Sequence, residues 1–356
     1  MTITKVYPMN FRMTAAAAAL AFAATGLSAC ATGSTDDASD DTASAGLTKA
    51  EAGAFPTTVK HVYGETTIKT EPKRVVALGW SDADTVLSLG VVPVGASTNS
   101  WGGTKEGSTI WFDEALEEID GAEAPTRVDD TTNGIAGAVA DIAKLNPDLI
   151  VATNSGMTKE EYDKLSKLGV PVVAMPGKAW MTTWSESLDI IGQALGRTKV
   201  ADEVEADVKE EFAEAKEEYA GLQGKSIFVS WIDPKDTSSV GIYGDSRATV
   251  LEEAGLVLPA WVEKTTKGEA YGTVSAERAS TLDADLALLT AESQAEADTI
   301  TKDKLIAKIP AVAAGHVWWD LPDHSTAYAL DVATALSLPY MIDHLLPELE
   351  KTLEGK

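Results

Sequence analysis

The sequence predicts an α/β protein of two lobes with mainly parallel central sheets, joined by one long α-helix. Three observations predict it. At 356 residues the chain exceeds a typical single core, so two domains are the default. Short apolar runs alternate with helical patterns on both sides of the chain's middle, which is how parallel β-α units read. Between those two sets, Thr183 to Gly224 shows no strand signal. There Ile190, Ile191 and Leu195, then Val200, Val204, Val208, Phe212 and Tyr219, continue apolar stripes at helical spacing, with Glu203, Glu205, Glu210, Glu211, Glu214, Glu217 and Glu218 between them. Thr183 with Glu186 fits a capping box, so residues up to Gly196 close the first lobe and the acidic segment is the bridge. The expected divisions are 1–29, 30–54, 55–198, 199–222 and 223–356.

Residues 1–29 read as an export signal: Lys5 and Arg12 are followed by the Ala-rich run Thr14 to Thr25, too short and weakly apolar for a permanent span. The run ends in Leu27-Ser28-Ala29-Cys30, which resembles a bacterial lipobox, where small residues let a peptidase reach the bond before an S-acylated cysteine. Cys30 is the only cysteine, so no intrachain disulfide is possible. Residues 31–54 are small and polar and bury too little surface to order themselves, which makes them a tether.

In the first lobe, strand Arg74 to Gly79 leads into a helix capped by Ser81 and stopped by Gly90. Strand Val91 to Ala96, a long loop Asn99 to Trp111, helix Ile135 to Leu145, strand Leu149 to Thr153, helix Thr158 to Leu168 and strand Val170 to Met175 follow. In the second lobe, strands Ile227 to Trp231 and Val240 to Tyr243 precede helix Ser246 to Ala254. A loop holding Trp261 and Tyr271, a helix capped by Ser275, strands Leu286 to Thr290 and His316 to Leu321, and helices Ala327 to Leu336 and Pro339 to Leu349 complete it. The stretch IAKLNPDLIVAT (142–153) echoes ASTLDADLALLT (279–290), which suits two similarly built lobes.

The balance of 29 basic against 55 acidic residues argues against a nucleic-acid partner. Gly221 to Ser226 has too few residues between its glycines for a phosphate loop, and Asp129 to Ala140 lacks calcium ligands at Thr131 and Ala140. His61, His316, His324 and His344 are scattered, no nucleophile motif is present, and neither an enzyme nor a metal site is expected.

The signal with its lipobox, KRVVALGWSDADTVLSLGVVPVGAS, IAKLNPDLIVATNSGMTKEEYDKLSKLGVPVVAMPG, TTWSESLDIIGQALGR, GDSRATVLEEAGLVLPAW, VSAERASTLDADLALL and LSLPYMIDHLLPEL together resemble a ferric-siderophore substrate-binding lipoprotein of an ABC importer. The resemblance covers nearly everything from Phe55 onward and implies two Rossmann-like lobes on a single helix, with a shallow cleft between them. It implies a monomer tethered by diacylglycerol on Cys30, with a ferric siderophore and ABC permease subunits as partners and no further cofactor. It also implies one acid per lobe that engages permease arginines: Asp84, with Asp82 as fallback, and Glu277. Arg247 in GDSRA matches a ligand arginine and Tyr271 in AYGTVS an aromatic cleft position. Trp80, Trp101, Trp180 and Trp231, at strand ends or loops, are the further cleft candidates, because ligands collect at the carboxyl ends of strands in open sheets. Trp184 reads as structural; Arg127 and Arg278 are reserves. Haem or a corrinoid is the alternative ligand, and an extracytoplasmic enzyme the more distant alternative.

Overall fold

The computed structural model describes residues 48–130 and 134–355; Cys30, the signal segment and nearly all of the tether lie outside the described residues. A hairpin, β1 (Thr57–His61) and β2 (Gly64–Ile68), opens the first lobe, and the sequence pattern alone does not announce it. Then come β3 (Val75–Ala77), α1 (Asp82–Ser88), β4 (Gly95–Ser97), α2 (Ile110–Glu117), β5 (Thr126–Val128), α3 (Gly134–Lys144), β6 (Leu149–Ala152), α4 (Lys159–Ser166), β7 (Val172–Ala174) and α5 (Trp184–Leu195). The sheet runs β5-β4-β3-β6-β7, with every pairing parallel. Strands β3, β6 and β7 are apolar and buried on both faces because helices cover both faces.

The helix α6 (Thr198–Glu218) carries the chain to the second lobe. Both members of the Thr183–Glu186 capping box are present on α5, which ends at Gly196 with φ 67°. A side chain there would be strained by that φ and would meet Ala54 and Phe55 at 2.8 Å, so glycine makes the tight reversal into α6 possible. Ala201, Val208, Phe212 and Ala215 form the buried stripe of α6, while most of its acids face solvent. Glu211 and Glu205 are half-buried, and at Glu211 burial, and then Asp343, push the carboxyl up to about 7.

The second lobe holds β8 (Ile227–Asp233), β9 (Asp236–Tyr243), α7 (Arg247–Glu253), α8 (Ala260–Thr266), β10 (Tyr271–Ser275), β11 (Leu286–Thr290), α9 (Gln294–Lys302), α10 (Pro310–Ala314), β12 (Val317–Asp320), α11 (Ser325–Asp331) and α12 (Ser337–Leu353). Its sheet order is β10-β9-β8-β11-β12, with β8, β11 and β12 pairing in parallel and β9 pairing antiparallel with both β8 and β10. The segment after Ser275 is a 3-10 helix, Ala276–Thr281.

The internal echo has a structural counterpart. Asp148 accepts from the amides of Lys73 and Arg74 at 2.7 and 2.8 Å, fixing the approach to β3. Asp285 accepts from the amide and hydroxyl of Ser226 at 2.8 and 2.7 Å, fixing the approach to β8. In each lobe an acid just before a central strand clamps the start of its parallel neighbour. One apolar cluster, from Val75 and Leu149 through Phe212 to Ile227, Leu286 and Leu345, runs through both lobes along α6 and α12. Burial of that kind, at about 25 cal/mol per Å², couples the lobes more firmly than a polar hinge would.

Candidate functional site

The candidate site is read from the carboxyl ends of the first-lobe strands and the β8-β9-β10 face of the second lobe, which the Lys178–Glu269 and Trp101–His324 contacts link. Trp80 follows β3 and Trp180 follows β7, and both hang from the turn after β6: Trp80 donates its amide to the Asn154 carbonyl at 3.1 Å, and Trp180 its amide to that of Ser155 at 3.3 Å. Their rings lie 5.0 Å apart at 46°, yet 49% and 36% of their surfaces stay exposed. Two exposed indoles in contact form a paired apolar ledge, which soluble proteins rarely leave open without a use. Beneath the ledge Asp82 is fully buried and accepts from the Thr153 hydroxyl at 2.8 Å and from the amides of Thr153 and Asn154, so it locks the turn that carries the ledge. Burial raises its pKa, and those hydrogen bonds oppose the rise.

The facing wall comes from three strands. Trp231 on β8 pairs with Gly241 on β9, and Tyr243 pairs with Tyr271 on β10. Because alternate residues share a face, Trp231, Gly241, Tyr243 and Tyr271 lie on one side of the sheet. Tyr271 leans across Gly241, where any side chain would collide with its ring, and packs edge-on against Tyr243 at 5.4 Å. Trp231 and Tyr271 are each 43% exposed. The Arg247 guanidinium lies 3.8 Å over the Tyr243 ring and continues this wall.

Contacts across the gap define its ends. At one, Lys178 reaches from beside Trp180 to Glu269 at 2.7 Å and to the Gly268 carbonyl at 2.8 Å, just before Tyr271. At the other, Trp101 stacks on His324 at 4.9 Å and meets Tyr328 edge-on, while the Tyr328 hydroxyl donates to Asn99 at 2.8 Å. His324 is held by Asp320 at 2.8 Å, and burial pushes that aspartate up to about 6 against the pull of His324. Trp101 is therefore packed against the second lobe, whereas Trp80 and Trp180 on the first lobe and Trp231 and Tyr271 on the second stay partly exposed. Sequence reasoning missed Tyr243, although it lies only four residues before Arg247, because the turn that brings the guanidinium over its ring is not written in the spacing; it missed His324 because Trp101 lies far from it in the chain.

One expectation needs correction, and a second gains partners that the sequence did not show. Asp84 is 3% exposed, its carboxylate takes a 2.5 Å hydrogen bond from the Trp111 indole, and Thr334 of the second lobe lies 3.5 Å away. It cannot offer itself to an arginine of another protein, and the fallback Asp82 is buried too. All of α1 is inside, because α2 and α5 cover it. Glu277, by contrast, is exposed. Arg247 is at the cleft, but not as a free cation: it donates to both oxygens of Asp245 and, at 2.8 Å, to Asp331. Burial works against its charge, but Asp331 and Asp245 outweigh that and hold its pKa above the ordinary value. Of the reserves, Arg127 is turned inward, donating to Ser97 and Ser108 beside the Phe112 ring.

The model of the periplasmic binding protein family matches residues 75–320, most of the chain and both walls of the cleft. The chain belongs to that family. It is similar to PiaA of Streptococcus pneumoniae in complex with ferrichrome, at 30% identity and TM-score 0.78 over 84% of this chain and 99% of that one. It is similar also to SirA of Staphylococcus aureus complexed with staphyloferrin B, at 25% identity and TM-score 0.63 over 84% and 98%. Among curated proteins, the probable siderophore-binding lipoprotein YfiY of Bacillus subtilis is 28% identical over 173 residues, 48% of each chain. The matched stretch thus spans about half the length of that relative. The two mixed α/β lobes with parallel-dominated sheets are the fold of the PiaA structure. The family is one of substrate-binding proteins rather than enzymes.

Proposed function

We propose that this chain is a lipid-anchored, extracytoplasmic solute-binding protein that captures a ferric siderophore between its lobes and delivers it to an ABC permease. The observation that carries the reading is the pair of exposed aromatic walls, Trp80 with Trp180 against Trp231 with Tyr271, on a fold shared with ferrichrome-bound PiaA. Flat aromatic surfaces suit the rigid shell of an iron chelate, and hydrogen-bond donors at their margin fix its orientation. Among the described residues no three His, Cys, Asp or Glu side chains gather to hold a metal ion, so the reading leaves the iron's ligands to the chelate. Membrane attachment through acylated Cys30 rests on the lipobox and on relatives named lipoproteins. Titration of tryptophan fluorescence with ferric hydroxamates, ferric catecholates, haem and cobalamin tests the proposal. Saturable quenching by an iron chelate supports it, quenching by haem or cobalamin alone redirects it, and quenching by none overturns it.

For permease docking the reading keeps Glu277 and replaces Asp84. Aligning the two stretches in sequence on the strand-clamping acids, Asp148 and Asp285, sets Ala140 of α3 opposite Glu277, and the exposed carboxylate beside Ala140 is Asp141. Asp141 is 68% exposed at its side chain and is engaged by Lys144 of its own helix, a pair easily exchanged for a permease arginine.

A further inference from the structure

We infer that the cleft discriminates by charge, and that Asp245 and Asp331 make it a receptor for neutral or cationic ferric complexes rather than polyanionic ones. The inference rests on the proposed function and names the ligand class within it.

An arginine beside an aromatic wall suggests an anion site, provided its charge is unspent. Here Nε and one terminal nitrogen of Arg247 bind Asp245, and the other terminal nitrogen binds Asp331. The three side chains are only 11%, 14% and 13% exposed, so water screens them little. Two carboxylates around one guanidinium leave the cluster negative. Burial, and then Asp245, raise the Asp331 pKa above the ordinary carboxylate value on balance, and Arg247 offsets only part of that rise.

The remaining groups do not restore a positive field. Lys178, a second cation at the cleft, is bound to Glu269. Toward Trp101, His324 lies between Asp320 at 2.8 Å and Glu292 at 3.8 Å. Arg127 is directed into the first lobe. A ferric tris-catecholate carries three dianionic ligands on a trivalent ion, hence three net negative charges, and would meet this arrangement as a repelled ion. A ferric tris-hydroxamate carries three monoanionic ligands and is neutral; a pendant ammonium makes it cationic.

Arg247 keeps a role in such a site. Of its five N–H groups, three donate to the aspartates, so two remain for the oxygens of a neutral chelate. The aspartates hold the guanidinium flat on Tyr243 and cancel its charge, leaving a directional donor instead of an electrostatic trap. Asp245 and Asp331 are thus positioning residues for Arg247 as well as a barrier to anions.

Fluorescence titration of the purified protein with three probes tests this: a neutral ferric tris-hydroxamate, an amine-bearing cationic one and a trianionic ferric tris-catecholate. The neutral and cationic probes should bind at least about tenfold more tightly than the trianion, and Asp331→Asn should bring the ratio toward one. Salt gives an independent readout on the wild-type protein: added salt should strengthen binding of the trianion and weaken that of the cation. Equal or tighter binding of the trianion, or a ratio unmoved by both Asp331→Asn and salt, overturns the inference while leaving siderophore capture standing. Failure of every iron chelate to bind overturns both.

Discussion

Replacing Asp84 by Asn separates a buried strut acid from a docking acid. Burial, opposed by the Trp111 hydrogen bond, pushes the Asp84 carboxyl from 3.8 up to about 7. An acid whose pKa is raised on folding contributes stability that is present below its unfolded value and is lost as pH climbs through the folded one. A pKa that differs by one between folded and unfolded chains is worth about 1.4 kcal/mol. Keeping Asp84 ionised therefore costs the fold roughly 4 kcal/mol above pH 7, and its protonation in the fold costs about 1.5 kcal/mol at pH 5. Asn cannot ionise and still offers an oxygen to the Trp111 indole. Relative to wild type, Asp84→Asn should therefore gain about 2–3 kcal/mol of stability between pH 5 and pH 8. Urea unfolding of both proteins at the two pH values measures that difference directly. A stability difference that does not change with pH, combined with normal ligand binding and lost uptake, would refute the buried assignment and restore Asp84 as a docking group.

Other outcomes follow from the same geometry. Glu277→Ala and Asp141→Ala should each leave chelate affinity in solution unchanged while slowing iron uptake by cells; weakened binding in solution would count against docking at that residue. Gly241→Ala should push Tyr271 off its seat and weaken ligand binding by roughly tenfold with little change in melting temperature, since the obstructing atoms belong to a movable side chain. Trp111→Phe removes the indole donor to Asp84 and should destabilise the fold by about 1–3 kcal/mol in urea titrations at neutral pH.

The alternation of strands and helices, the capping box at Thr183 and the acidic bridging helix were legible because each is written in local spacing. The strand expected at Val91–Ala96 is found shorter and at the carboxyl end of that stretch as β4, while β5 and α2, which fall in and after the long loop expected from Asn99, were not legible from their own residues. Tyr271 read as a loop residue but opens β10, whose antiparallel pairing to β9 is set by a neighbour and not by its own five residues. Asp84 misled for a different reason: an acid in a first turn looks like a surface residue favoured by the helix dipole, and only the helices packed over α1 show that it is inside. Arg247 was found, but its meaning was not. Asp245 could be seen beside it, whereas Asp331 lies in another helix far along the chain, and the two together reverse the charge that the arginine alone would suggest.

The account's central claim is that the iron complex sits between the Trp80–Trp180 ledge and the Trp231–Tyr271 wall. Anomalous X-ray scattering from iron in crystals of the protein grown with a ferric tris-hydroxamate locates the metal without reference to any assumed pose. The account predicts one iron peak between those two aromatic walls, beside Arg247 and with no protein side chain in its coordination sphere. Iron found outside the cleft, or ligated directly by side chains, would contradict it.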